Sequence, residues 1–105
     1  MQKIVSEHTI GLNREKPRLW LDGKRLIHAG FIGGTIYGYT VKPGKIVMRL
    51  DADAPRHGER KVTGRPDGKP IIDMLGRDLI AAGFKAGDRV RVTYQPGSIT
   101  VVPAE

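Results

Sequence analysis

Arg56, Arg60, Lys61, Arg65 and Lys69 fall within 14 residues that also carry Gly64, Pro66 and Gly68. Cations spaced along a turn-forming segment stand out from the backbone, where they neutralise phosphate charge and release its condensed counterions. Arginine adds a planar fork that meets phosphate or guanine with two N–H groups at once. Arg14, Lys16 and Arg18 form a thinner version of the cluster nearer the N-terminus, and His8, Lys24 and Arg77 extend the two sets. Together these residues predict a surface that touches nucleic-acid phosphate. Some of the same charges could instead guard an exposed strand edge against aggregation.

Other chemistry is less well supplied. Asp51, Asp53, His57 and Glu59 could hold a divalent cation by residue type, but acidic residues in a polar connector more often only solvate it, so no metal site is expected. His8 or His57 could serve a ribonuclease as general base while Lys or Arg stabilises the phosphorane. No spacing assembles a catalytic constellation around any of the three histidines, so the chain reads as a binder rather than an enzyme, and no cofactor is expected. With no cysteine, disulfides and thiolate zinc sites are excluded. A net charge of +7 and a pI near 10.1 point to a polyanionic partner. No apolar run approaches a membrane span, and the opening MQKIVSEHTIG lacks the apolar centre of a signal peptide. The expectation is a soluble cytoplasmic protein, free or nucleoid-associated, with no membrane partner.

A duplication positions these residues. Residues 17–49 and 70–102 align without a gap at an offset of 53, with twelve identities that include Gly23/Gly76, Leu26/Leu79, Gly30/Gly83, Phe31/Phe84, Pro43/Pro96 and Gly44/Gly97. Average composition would give roughly two by chance. Carried upstream, the offset places Gly11 on Gly64 and divides the chain into repeats 1–52 and 53–105. Each is too small to bury a comfortable core alone, so one domain with a shared core is expected. Cations match at Lys3/Arg56, Lys16/Lys69 and Lys24/Arg77, whereas Glu7 faces Arg60, Asp22 faces Leu75, Asp73 faces Trp20 and Asp88 faces Thr35. Matched carboxylates for paired acid–base work are therefore not expected.

Each repeat reads as strand, loop, short strand, short helix and hairpin. Helices are predicted at Gly23–Ala29 and Gly76–Ala82, with Leu26/Ile27 and Leu79/Ile80 facing inward and Gly30 or Gly83 closing the end. Alternation then predicts strands with Tyr37, Tyr39 and Val41, or Val90, Val92 and Tyr94, turned inward and Arg89 and Arg91 turned outward. Pro43-Gly44 and Pro96-Gly97 predict tight turns into return strands at Ile46–Leu50 and Ile99–Val102. Upstream strands are predicted at Lys3–Ile10 and Arg60–Thr63. Leu19-Trp20-Leu21 and Ile71-Ile72 read as short buried strands, which places Trp20 in the core or an interface. Residues 51–59 read as a surface linker.

GRDLIAAGFKAGDRVRVTYQPGSITV and GKRLIHAGFIGGTIYGYTVKPGKIV resemble the core of SymE-like proteins, and the unit as a whole resembles the swapped-hairpin barrels of the AbrB and MazE class. The resemblance implies a mostly β fold with short helices, a swapped-hairpin barrel formed within one chain as a pseudo-dimer of two repeats. Basic residues near the first strand and the following loop contact DNA in the AbrB class, which implies Arg60, Lys61 and Arg65, with His8 and Arg14 as the weaker set. The expected function is duplex DNA binding by a transcriptional regulator or antitoxin-like factor. A SymE-like toxin that binds or cleaves RNA is the alternative, and a protein-interaction module with incidental charge is a third. Pairing into a further homodimer stays open.

Overall fold

Polar and apolar residues alternate through the second part of each repeat, and both stretches fold as hairpins. β4 (Ile36–Lys42) returns as β5 (Lys45–Arg49), and β9 (Arg89–Gln95) returns as β10 (Ser98–Pro103). Pro43 and Pro96 set the first central residue of each turn. Gly44 and Gly97 follow at φ 73° and 85°, the positive values that the second central residue of such a turn requires. Val90, Val92, Tyr94, Ile99, Val101, Ile46 and Met48 are buried, and Tyr39 and Val41 pack half-buried on the same core. The computed structural model describes residues 3–51, 53, 56–74 and 76–104.

The helices are α1 (Lys24–His28) and α2 (Gly76–Ala81). Gly30 N–H donates to the Ile27 carbonyl and Phe31 N–H to the Leu26 carbonyl, each at 2.9 Å. Gly83 and Phe84 bond Ile80 and Leu79 in the same way at 2.9 and 2.8 Å. This paired closure is the glycine-dependent helix ending predicted from the repeats. Only one residue of each predicted inward pair is buried. Leu26 and Leu79 are fully covered, whereas Ile27 is 49% and Ile80 57% exposed. Successive helical residues point about 100° apart, and a helix of one and a half turns lying on a core covers a single side.

The remaining strands are β1 (Ile4–Thr9), β2 (Gly11–Asn13), β3 (Lys16–Asp22), β6 (Gly58–Lys61), β7 (Thr63–Gly64) and β8 (Pro70–Met74). A six-stranded sheet has the order β1-β9-β10-β5-β4-β6, and a four-stranded sheet the order β2-β3-β8-β7. Four antiparallel pairings join one repeat to the other: β1 with β9, β4 with β6, β5 with β10, and β3 with β8. The domain is mostly β, but the expected closed barrel does not form. At Ile10 and Val62 the chain leaves one sheet and enters the other. Both residues are buried and bond loop backbone there: Ile10 with Gly87 and Asp88, Val62 with Gly34 and Thr35, all at 2.8 Å. Those bonds turn the chain at a corner between open sheets, and β1 and β6 end as opposite edges of the larger one.

The register also corrects the upstream alignment. Thr9 pairs with Arg89 and Lys61 with Ile36. Because Arg89 is the counterpart of Ile36, Thr9 is the counterpart of Lys61, an offset of 52 in place of 53. The extra residue of the second repeat lies in a hairpin loop. Arg14 and Glu15, both at positive φ, make a two-residue connection between β2 and β3. The second repeat uses three residues closed by Arg65 N–H to the Lys69 carbonyl, with Gly68 at φ 87°. Glu7 therefore matches Glu59 and His8 matches Arg60, so one pair of carboxylates is kept after all. The two glutamates stand on opposite edges of the sheet and cannot share a proton.

Asp51 and Asp53 of the predicted linker are exposed, while Ala52, Ala54 and Pro55, along with the Leu75 that was aligned with Asp22, lie outside the described residues. Among the described residues no helix is long and apolar enough to cross a membrane.

Candidate nucleic-acid interface

Alternation in the six-stranded sheet turns one set of side chains to the core and the other to an open outer face. Lys42, Lys45, Arg49, Lys61, Arg89 and Arg91 all take outward positions, around a centre of Thr40, Val47, Thr93 and Thr100. Arg56 joins them from the segment before β6. Its guanidinium lies across Gly38 of β4, where a Cβ would stand 2.6 Å from Cζ, so any side chain at this strand position would displace the guanidinium. Glu59 pairs with Arg56 at 2.7 Å and Glu7 with Arg89 at 3.1 Å. Among the described residues, Lys42, Lys45, Arg49, Lys61 and Arg91 pair with no carboxylate. Among the described residues this face holds no aromatic side chain.

At the β4–β5 end this face dips into a groove of about 470 Å³, floored by Thr40 and Val47 and walled by Lys42, Lys45, Arg49, Arg56 and His57. His57 Nδ1 accepts the Val41 N–H at 2.8 Å, and His57 N–H donates to the Tyr39 carbonyl at 2.7 Å. With Nδ1 accepting, the neutral ring carries its proton on Nε2, and that edge is a donor.

The residues singled out in the sequence divide among several places. Lys61 lies on the outer face. Arg14, Lys16 and Arg18 gather around a groove of about 240 Å³ at the start of β3, with Asp73 taking the Arg18 guanidinium at 3.2 Å. Arg65 and Lys69 flank the three-residue loop, and Arg65 approaches Asp67 within it at 3.8 Å. Lys24 opens α1 and Arg77 lies in α2, both exposed. The Arg60 side chain, only 25% exposed, turns inward, bonds Asp78 and the Tyr39 hydroxyl at 2.9 Å each, and lies 4.7 Å from the Tyr39 ring. It is thus held from β6 onto α2. His8 is likewise turned inward against Ser6 at 2.8 Å, and burial, then Arg25 and Arg89, hold its pKa below the ordinary histidine value. Burial also pushes the Tyr37 hydroxyl up to about 12.

Trp20, expected in the core or an interface, does not lie in the core. Leu19 and Leu21 are buried and Trp20 points the other way, 40% exposed, with the Arg18 guanidinium 4.6 Å over its ring and its indole N–H donating to Asp22. The Asp51, Asp53, His57 and Glu59 set does not converge, and among the described residues no group of three or more metal-ligating side chains forms. His57 and Glu59 are instead committed to Val41 and Arg56.

Lys42, Lys45 and Arg49 were missed in the sequence because they stand singly beside a Pro-Gly turn and among apolar residues. Period-two counting from buried Ile46 and Met48 does place Lys45, Val47 and Arg49 on the opposite side. Comparisons with protein-family models, curated proteins and solved structures returned no match.

Proposed function

We propose that the protein binds duplex nucleic acid by laying the outer face of its six-stranded sheet on the phosphate backbone. Acting so, it would be a transcriptional regulator or antitoxin-like factor. One observation carries the reading: among the described residues, five outward cations without a carboxylate partner share a face on which Glu7 and Glu59 are both already paired. Phosphate contacts supply most sequence-independent affinity for DNA. A face without aromatic residues has nothing on which to stack unpaired bases, which favours a duplex over a single strand. Strand exchange between the repeats supports the finer reading of the fold as a swapped-hairpin pseudo-dimer of the AbrB kind, opened into two sheets. RNA cleavage is the weaker reading. His57 is the histidine best placed beside a bound phosphate, and its Nδ1 is occupied by Val41, so it donates a hydrogen bond where a general base would accept one.

Binding of duplex DNA, duplex RNA and single strands by the wild type and by Lys42→Glu/Lys45→Glu/Arg49→Glu tests the proposal. The expected result is duplex affinity reduced at least 100-fold in the triple variant. Unchanged duplex affinity would refute it.

A further inference from the structure

The two repeats share a backbone but not a surface, and the difference concentrates at one hairpin end. Lys42 and Lys45 stand directly across from each other in the β4–β5 ladder. Like charges at facing positions weaken a sheet, and among the described residues no carboxylate relieves this pair. Their counterparts in β9 and β10 are Gln95 and Ser98, and Arg49 is matched by Val102. The same hairpin is thus built neutral in one repeat and repulsive in the other, although the fold tolerates both.

The walls beside the lysines are held in place. Glu59 and the Asp51 carbonyl fix the Arg56 guanidinium across Gly38, and the Val41 N–H fixes the His57 ring with Nε2–H as its remaining donor. The groove's volume of about 470 Å³ lies within the roughly 300–1,000 Å³ of small-ligand sites, and among the described residues no carboxylate lines it. A concave site with several fixed donors, an unrelieved lysine pair and no acid fits an anion of high charge density.

We propose that this groove is a discrete phosphate-binding site, one per chain. It takes a backbone phosphate when nucleic acid lies on the face, and free phosphate or pyrophosphate otherwise. The first half of that statement rests on the reading of the face as a nucleic-acid surface. Its consequence is that a molecule with pseudo-symmetric sheets engages a duplex in one orientation, anchored at the β4–β5 end.

Pyrophosphate titrated into the full chain, followed by amide chemical shifts and calorimetry, tests the site, with a 12-base-pair duplex titrated in parallel. The expected result is one saturable equivalent of pyrophosphate, with shifts centred on Thr40, Lys42, Lys45 and His57. Lys42→Gln/Lys45→Gln should weaken it at least 10-fold. Lys3→Gln/Lys85→Gln, which removes the same charge elsewhere, should change it less than twofold, and thermal melting checks that both variants fold. Equal weakening by the two variants, or shifts spread over the whole sheet without saturation, would overturn the groove. Duplex binding by a chain with no pyrophosphate site would overturn this inference alone. A pyrophosphate site on a chain that ignores duplex would overturn the wider reading of the face and leave the groove standing as a free-anion site.

Discussion

Lys42 and Lys45 face each other across a ladder with the same charge, and at that position binding and stability are opposed. Lys45→Glu replaces the repulsion with an attractive cross-strand pair and sets an acid four residues before Arg49 on the same strand face. Cross-strand charge pairs are worth ~0.2–1 kcal/mol, so denaturant unfolding should show the variant more stable by that amount while its duplex affinity falls. A variant both less stable and equally tight would contradict the assignment. His8 gives a second prediction at this scale. Its proton affinity is lowered in the folded state by burial, then Arg25 and Arg89, so below the unfolded value of 6.5 the unfolded chain takes up the proton more readily. Stability is therefore full above about pH 6.5, falls as pH drops through the window beneath it, and levels off once the folded histidine also protonates. His8→Gln should flatten that part of the stability profile, read from melting midpoints between pH 7 and 5.

The ion pair of Arg60 with Asp78 ties the edge strand β6 to α2, and the same two backbone positions in the first repeat hold His8 and Arg25. One half of the molecule thus has an attractive contact where the other has a repulsive one for a protonated histidine. Arg60→Ala leaves a mostly covered carboxylate without its partner and should cost about 1–3 kcal/mol in chemical unfolding, while the folded fraction binds duplex as before. A loss of duplex affinity without loss of stability would instead return Arg60 to the binding surface where the sequence placed it. At this scale much of the fold was legible. Helix endings, Pro-Gly turns and hairpin alternation are local patterns, and the chain displays each of them twice, once per repeat. The slip from offset 53 to 52 was not legible, because the two hairpin loops differ in length by one residue and the flanking strands share almost no identities. The burial of one isoleucine per helix pair and the outward turn of Trp20 depend on which side meets the core, and short elements leave that undecided. The candidate site was only half legible: the basic loops announced charge by density, whereas the outer-face cations emerge as one surface only when β4, β5, β10 and β9 lie side by side.

Across the whole molecule, each sheet is assembled from both repeats, and every strand of the central four in the larger sheet has a neighbour from the other half or from its own hairpin. A chain of about 50 residues buries too little surface to stand alone, and here the first repeat would also lose β9 from beside β1 and β6 from beside β4. Fragments 1–52 and 53–105 should each lack the native circular dichroism spectrum and recover it when mixed. A monomeric, folded 1–52 fragment would contradict a shared core. The molecule measures 31 × 29 × 25 Å, and six strands at ~4.8 Å spacing make a face ~24 Å across, less than the ~34 Å of one duplex turn. Nuclease protection should accordingly cover about one turn per chain. The central claim is that unpaired cations on this face meet phosphate, and the salt dependence of duplex binding tests it most directly. Five phosphate contacts predict that the logarithm of the binding constant falls against the logarithm of salt concentration with a slope of about −4 to −5. A slope shallower than about −1 would contradict the account.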